Sequence, residues 1–427
     1  MPLKERAKRK KGCMSLRNKL AAIIAVAIIV KVGVVLIFKT YLHPVTWEYE
    51  TIVNSILSGH GYTFNFLNTS YKSLNPPVYT FLCVAVYLLT NHNYFVLLMI
   101  HLAFTVFLAF TVFSIARRIF NEKVGCLAAA LVLFHPGFMY YDAFNLVPFS
   151  IDSFFIAASL LLFLKFKDRP TVLNMMAVGV VIGLGALSRG IIGTLLPFFI
   201  LYFILFHRSA SFKKKSKVIL SMMLATFIVI SPWLIRNYVV HKRFVFLITT
   251  TGENLWRGNN PYATGTSLTK EGKSIFEMTP VEFHKKVFAL DELGQKKFFE
   301  EEAIRYIRAN PLVFVKSYFK KIYYFWWFSP QSGYIYPKAY LAIYKVAYII
   351  LITFSVLGII LALGFSPKAV RSGAWLLIFV FMSIFLTQSF FYVEGRHRWL
   401  VEPLLTIFFS YGITEIFRYI VDKERER

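Results

Sequence analysis

The chain has 427 residues, 57% of them hydrophobic and only 16% charged, with 45 Phe and 24 Tyr, too apolar for a soluble multidomain protein. The formal net charge of +26 lies largely in short Lys/Arg clusters between apolar runs, which is the pattern of the positive-inside rule and argues against a nucleic-acid partner. Cys13, Cys83 and Cys126 are scattered, two of them in apolar runs, and imply neither a disulfide framework nor a zinc site.

Residues 1–19 form a basic leader, and the apolar run 20–42 follows with no small-residue cleavage site after it. This pattern predicts a retained anchor with a cytoplasmic N-terminus. A crossing needs about 20 apolar residues, and further spans are expected near 93–115, 124–141, 148–164, 171–188, 190–206, 218–235, 339–363, 373–392 and 399–417. The connecting cations then fall consistently on one side: Arg117, Arg118 and Lys123; Lys165, Lys167 and Arg169; Arg208 and Lys213–Lys215; Lys368 and Arg371; and the tail 418–427 ending DKERER. Pro76–Thr90 is short for a crossing, and counting it would place the later basic clusters outside, so an interfacial helix is expected there. The expected fold is an all-α polytopic membrane protein of about ten transmembrane helices, with outer-face juxtamembrane helices and one long outer loop. Its parts are an N-terminal transmembrane region 20–240 that includes a first outer loop 43–91, an outer subdomain 241–338, and C-terminal transmembrane helices 339–417.

In the first outer loop, Ile52, Val53, Ile56 and Leu57 keep helical spacing before Gly59 and Gly61, which predicts a short helix. Glu48 and Glu50 stand in its first turn, where the helix dipole alone would favour them. In the outer subdomain, Asp291 and Asn310 read as helix N-caps, and PLVFVKSYFKKIYYFWWF reads as an amphipathic helix on the outer leaflet. The same topology brings Asp142, Asp152, Arg189, Arg236, Glu394, Arg396 and Arg398 toward that face. Arginine presents a planar fork that never loses its charge and binds phosphate oxygens bidentately. Arg189 ends an apolar run and can also be read as snorkelling to the interface, whereas Arg396, His397 and Arg398 are consecutive at a span mouth where orientation rules disfavour cations.

The order WEYETIVNSILSGHGY, a PP-x-Y segment, SRG, SPWLIRNY with GENLWRGNNPYATG, and RHRWLVEP resembles the C-superfamily (GT-C) membrane glycosyltransferases. The likeness is to the family 39-like branch of protein O-mannosyltransferases and the aminoarabinose transferase of lipid A. The resemblance implies inverting transfer of a sugar from a polyprenyl-phosphate-linked donor to a lipid, cell-envelope polymer or protein acceptor on the outer face of the plasma membrane. It implies Glu48 as base, Asp142 or Asp152 as a second acid, and Arg189, Arg236, Arg396 and Arg398 as ligands of the donor phosphate. Tyr49, Asn254, Trp256, Asn259, Asn260, Glu394 and His397 are the expected substrate contacts. No metal-ligand spacing stands out, so no obligatory cofactor is expected, although a divalent metal remains open. The chain departs from many relatives at Val45, where an aspartate is usual four residues before the helix tyrosine, and at Val147, one register for the second acid. A lipid-linked sugar transporter and an inactive, binding-only member are the alternatives, and spans nearly free of charge weigh against the transporter.

Overall fold

A computed structural model of the chain describes residues 16–206 and 211–426. Most of the predicted leader, including Cys13, lies outside the described residues, as do Arg208 and the final Arg427. Helix α1 (Leu16–Ile37) leads into α2 (Glu48–Leu57), a hairpin of β1 (Phe64–Phe66) and β2 (Thr69–Tyr71), and α3 (Pro77–Thr90). The first bundle continues with α4 (Tyr94–Ile119), α5 (Glu122–Leu133), α6 (Pro136–Phe144), α7 (Phe149–Phe166), α8 (Val172–Ser188), a 3-10 turn at Gly190–Thr194, α9 (Leu195–Phe206) and α10 (Phe212–His241). A subdomain then holds α11 (Thr251–Gly258), α12 (Val281–Phe288), α13 (Glu292–Ala309), α14 (Pro311–Trp326) and α15 (Ser332–Ile335). The chain closes with α16 (Lys338–Gly364), α17 (Lys368–Gln388), α18 (Gly395–Arg398) and α19 (Glu402–Glu426).

Among the described residues, α1, α4, α7, α10, α16, α17 and α19 are long and apolar enough to cross a bilayer, so the protein is a multi-pass membrane protein of helical architecture. The expected span 124–141 is instead the pair α5 and α6, bent by 42°. The cause is local: Pro136 opens α6 and holds His135 in an extended conformation (φ −61°, ψ 122°), outside the helical region. The expected spans 171–188 and 190–206 are shorter apolar helices, and α3 is shorter still. Helix α10 packs closely along α8, and α16 along α19, because Gly179 and Gly358 let backbones meet: a Cβ at either would run into the Met222 or Phe408 carbonyl oxygen.

The subdomain has its own small core of Trp256, Ile275, Val287, Phe299 and Ala303. Asp291 caps α13 by accepting from the Gly294 amide at 2.7 Å. Asn310 precedes α14 but donates to the Tyr306 carbonyl at 3.1 Å instead of capping it. Helix α14 leaves Leu312, Val313, Val315 and Phe319 exposed and buries Lys321 and Phe325, a two-faced helix as the sequence predicts. The β1–β2 hairpin turns through Leu67 (φ 46°) and Asn68 (φ 60°), the left-handed pair of a tight two-residue turn. Glu292 at the start of α13 accepts from the Lys72 and Ser73 amides (2.7 and 2.9 Å) and from the Thr249 hydroxyl (2.6 Å). Those bonds dock the subdomain onto the segment that follows the hairpin.

Candidate active site

Helix α2 begins at Glu48 because Trp47 is fully extended (φ −128°, ψ −174°) and the two glutamates of the first turn face the positive end of the helix dipole. Its two carboxylates have different surroundings. Glu50 is buried and accepts from Tyr87 (2.6 Å) and Tyr94 (3.0 Å) and meets His92 Nε2 at 3.0 Å, which ties α2 to α3 and α4. Glu48 is half-buried, and its Oε1 accepts only a long bond from Asn75 Nδ2 at 3.4 Å. Among the described residues no cation stands within ion-pair distance of Glu48, so its carboxylate is not consumed by the fold.

Arg236 stands near the C-terminal end of α10. Its Nη1 donates to the Lys72 carbonyl (2.6 Å), Ser73 Oγ (3.0 Å) and Asn237 Oδ1 (3.1 Å). The guanidinium carbon lies 4.7 Å from the Trp233 ring centroid and 5.3 Å from that of Tyr62, a stacking that orients the fork without neutralising it. No carboxylate of the described residues pairs with it. The Tyr62 hydroxyl donates to the Asn75 carbonyl at 2.9 Å, so Tyr62 and Asn75 connect Arg236 to Glu48. Burial pushes the Tyr62 hydroxyl well above the ordinary tyrosine range, against the opposing pull of Thr80 and Arg236, and it stays protonated.

Arg189 and Arg396 each have a carboxylate partner. Arg189 Nε donates to Asp152 Oδ2 at 2.6 Å, and Ser188 Oγ holds the other oxygen of that carboxylate at 2.6 Å. Asp152 therefore orients an arginine in this structure, and the Arg189 guanidinium lies 5.2 Å from the Phe149 ring centroid. Arg396 Nη2 pairs with Glu394 at 2.8 Å and its guanidinium lies 5.1 Å from the Trp47 ring centroid, next to α2. Burial alone would lower the Arg396 pKa, but Glu394 and neighbouring tyrosines hold it above its ordinary value. Ser267 donates its hydroxyl to Glu394. Tyr49 is buried, and burial raises its pKa; Arg189 opposes the rise while Glu48 and Asp152 add to it. His397 is kept neutral by burial and by the nearby Arg396 and Arg189, and its Nδ1 accepts from the Glu394 amide at 3.2 Å.

Other predicted residues are placed elsewhere or spent on the fold. Asp142 pairs with Lys31 of α1 at 3.0 Å and accepts from Thr105, a charge pair inside the helix bundle. Arg398 is fully buried: it reaches Glu402 (2.5 Å), the Tyr344 hydroxyl (2.9 Å) and the Phe325 carbonyl (3.2 Å), and stacks 3.6 Å from the Tyr348 centroid. Trp256 lies in the subdomain core. Asn259 Nδ2 donates to the Leu255 and Phe390 carbonyls, and Asn260 bonds the Trp256 carbonyl and the Tyr262 amide. Asn254 is half-buried, and its backbone amide bonds to the Thr250 carbonyl.

Val45 is half exposed (50%), and its backbone bridges Asn145 by bonds to the Phe144 carbonyl (2.8 Å) and Leu146 amide (3.0 Å). Val147, two residues beyond Asn145, is buried. The position expected for the first acid is thus apolar, and so is one of the two registers for the second; the other register is Asp152, which pairs with Arg189. Sequence reasoning missed Trp47, Tyr62, Asn75 and Trp233, the groups that hold Glu48 and the arginines. Trp233 was visible as the aromatic three residues before Arg236 on one helix face. Among the described residues no group of three His, Cys, Asp or Glu side chains is arranged to hold a metal.

The chain resembles known proteins in two ways. A family model described as dolichyl-phosphate-mannose-protein mannosyltransferase matches residues 74–235. Among solved structures, ArnT from Cupriavidus metallidurans bound to undecaprenyl phosphate superimposes with a TM-score of 0.59 at 13% identity, over 93% of this chain and 60% of that one. The oligosaccharyltransferase AglB from Archaeoglobus fulgidus, in complex with an inhibitory peptide and a dolichol-phosphate, gives 0.55 at 13% identity over 96% and 51%. The apo form of the Archaeoglobus fulgidus oligosaccharyltransferase gives 0.56 at 14% identity over 95% and 52%. No curated protein matches the sequence. The chain therefore shares the fold of these structures, and it spans about half to three-fifths of their length.

Proposed function

We propose that this chain is an inverting membrane glycosyltransferase of the GT-C type that moves a sugar from a polyprenyl-phosphate carrier to an acceptor hydroxyl or amine on a lipid, envelope polymer or protein. The observation that carries the reading is the pair of an unneutralised carboxylate, Glu48, and an unneutralised arginine, Arg236, linked through Asn75 and Tyr62. The match to the mannosyltransferase family model and the shared fold support it.

In the proposed reaction Glu48 takes the proton of the acceptor as its heteroatom attacks the anomeric carbon. The anomeric C–O bond breaks, and its electron pair goes to the phosphate oxygen of the departing carrier. That oxygen gains charge in the transition state, and a preorganised guanidinium there lowers the barrier without an acid. Arg236 fills that role, with the Nη atoms of Arg189 as a second contact, and Tyr49, Asn254 and Trp47 border the sugar. A single displacement inverts the anomeric centre. Product in which the donor's anomeric configuration is retained would contradict this scheme.

The site is proposed to face the outside of the plasma membrane with both termini cytoplasmic. Labelling of Lys270→Cys, an exposed position of the subdomain, by an impermeant thiol reagent added outside intact cells is the expected result; labelling only after permeabilisation overturns it. A second reading rests on Val45, whose backbone bridges Asn145, standing where an acid is expected. It holds that the chain binds the lipid-linked sugar without turning it over, and it predicts donor binding that saturates with no product.

A further inference from the structure

We infer that the end of the bundle remote from the 242–337 subdomain carries a binding site for the phosphate-bearing headgroup of an anionic membrane lipid. A cavity of about 550 Å³ opens there between the C-terminal ends of α4 and α7 and the first turn of α17. Arg118, Lys167 and Lys368 line it, against one acid, Asp168. Asp168 is already engaged by Lys167 at 2.7 Å, which leaves Arg118 and Lys368 as the exposed cations of the rim. Arg118 makes one long bond, from Nη2 to the Lys165 carbonyl at 3.4 Å.

The wall is of two kinds. Toward the bundle it is apolar, formed by Ile119, Leu164 and Gly373. It is fixed by a close approach of α17 to α4, since a Cβ on Gly373 would come within 2.8 Å of Ile119. Toward the helix ends it is cationic. The first turn of α17 adds to that side, because Pro367 offers no side-chain cap to its free amides. The turn itself is anchored by Tyr202, whose hydroxyl donates to the Ser372 carbonyl at 2.9 Å.

A soluble anion gains nothing from an apolar wall. An amphiphile uses both: its phosphate meets Arg118 and Lys368 while its glycerol and upper acyl carbons cover Ile119 and Leu164. Basic pockets between transmembrane helices at the leaflet surface recognise lipids in this way, with each cation changing affinity about fivefold. The site is at the opposite end of the bundle from Glu48 and Arg236 and does not depend on the transfer reaction.

The test is native mass spectrometry of the purified full chain in detergent, titrated with phosphatidylglycerol or with phosphatidylcholine of the same acyl chains. The native chain is expected to retain phosphatidylglycerol preferentially. The doubly substituted Arg118→Gln, Lys368→Gln chain should lose about 25-fold in apparent affinity for it, with an unchanged melting temperature, and Arg118→Lys should keep most of the binding. Equal retention of the two lipids, or an unchanged double variant, overturns the inference. Displacement of the bound lipid by millimolar inorganic phosphate also overturns it, by making the cavity a small-anion site.

Discussion

Lys321 offers a quantitative test of how the subdomain is held to the bundle. It is completely buried in α14, and its Nζ donates to the Gly258 carbonyl (3.2 Å) and Asn259 Oδ1 (3.1 Å), with the Phe390 carbonyl at 3.5 Å. Burial without a carboxylate partner pulls its pKa from 10.5 down to about 7. Unfolded, the same amine keeps its proton until near pH 10. Between pH 7 and 10 the unfolded chain therefore binds more protons than the folded one, and stability rises with pH; below pH 7 both states are protonated and the penalty is constant. Each full pH unit within that window is worth about 1.4 kcal/mol, and because the folded amine is still half protonated at pH 7, going from pH 7 to 9 should stabilise the protein by about 2.3 kcal/mol. That corresponds to several degrees in melting temperature. Lys321→Met removes the titrating group while filling the same space. Unfolding followed by tryptophan fluorescence in a non-ionic detergent at pH 6, 7, 8 and 9 gives the slope for both chains. Other groups titrate alike in the two, so the difference in slope belongs to Lys321. Identical slopes, or a native stability that falls relative to the variant above pH 7, would refute the reasoning.

Arg236→Ala should lower transfer by about 10²–10³-fold, the usual effect of deleting one preorganised charge stabiliser, whereas Arg236→Lys keeps the charge but loses the fork and should fall between; kinetics with a fixed donor separate the three. Because Glu48 is the proposed base, Val45→Asp should not restore transfer to Glu48→Gln, and rescue would move the base to position 45. Arg398→Ala leaves Glu402 buried with only Tyr344 and His135 and should destabilise the fold by about 3–5 kcal/mol, read as lost monodisperse protein; normal yield with selective loss of donor binding would instead make Arg398 a ligand.

The apolar runs and basic clusters were enough to place the seven long helices, because hydropathy and length are local properties. The bend in 122–144 was also local, signalled by His135-Pro136, but a hydropathy window averages over it. Side-chain roles were harder to read. Arg398 and Arg396 stand two residues apart in RHRW, yet one is locked among Glu402, Tyr344 and backbone carbonyls while the other lies against Trp47. No local pattern carries that difference, since the deciding partners come from α14 and α16. Asp142 was read as a site acid for the same reason: its partner, Lys31, lies 111 residues earlier. A signal existed there, because a lone lysine in an apolar run demands a buried acid somewhere. Asn259 and Asn260, expected sugar contacts, bond backbone carbonyls within their own turn and at Phe390, and Asn259 also accepts from Lys321.

The most direct test of the central proposal is transfer by membranes containing the chain, supplied with a panel of radiolabelled polyprenyl-phosphate sugars and compared with equally expressed Glu48→Gln and Arg236→Ala. Transfer of label from one donor into a lipid, polymer or protein fraction by the native chain, lost in both variants, is the predicted result. Label transferred equally well by Glu48→Gln, or no transfer from any donor by a folded native chain that still binds it, would contradict the account.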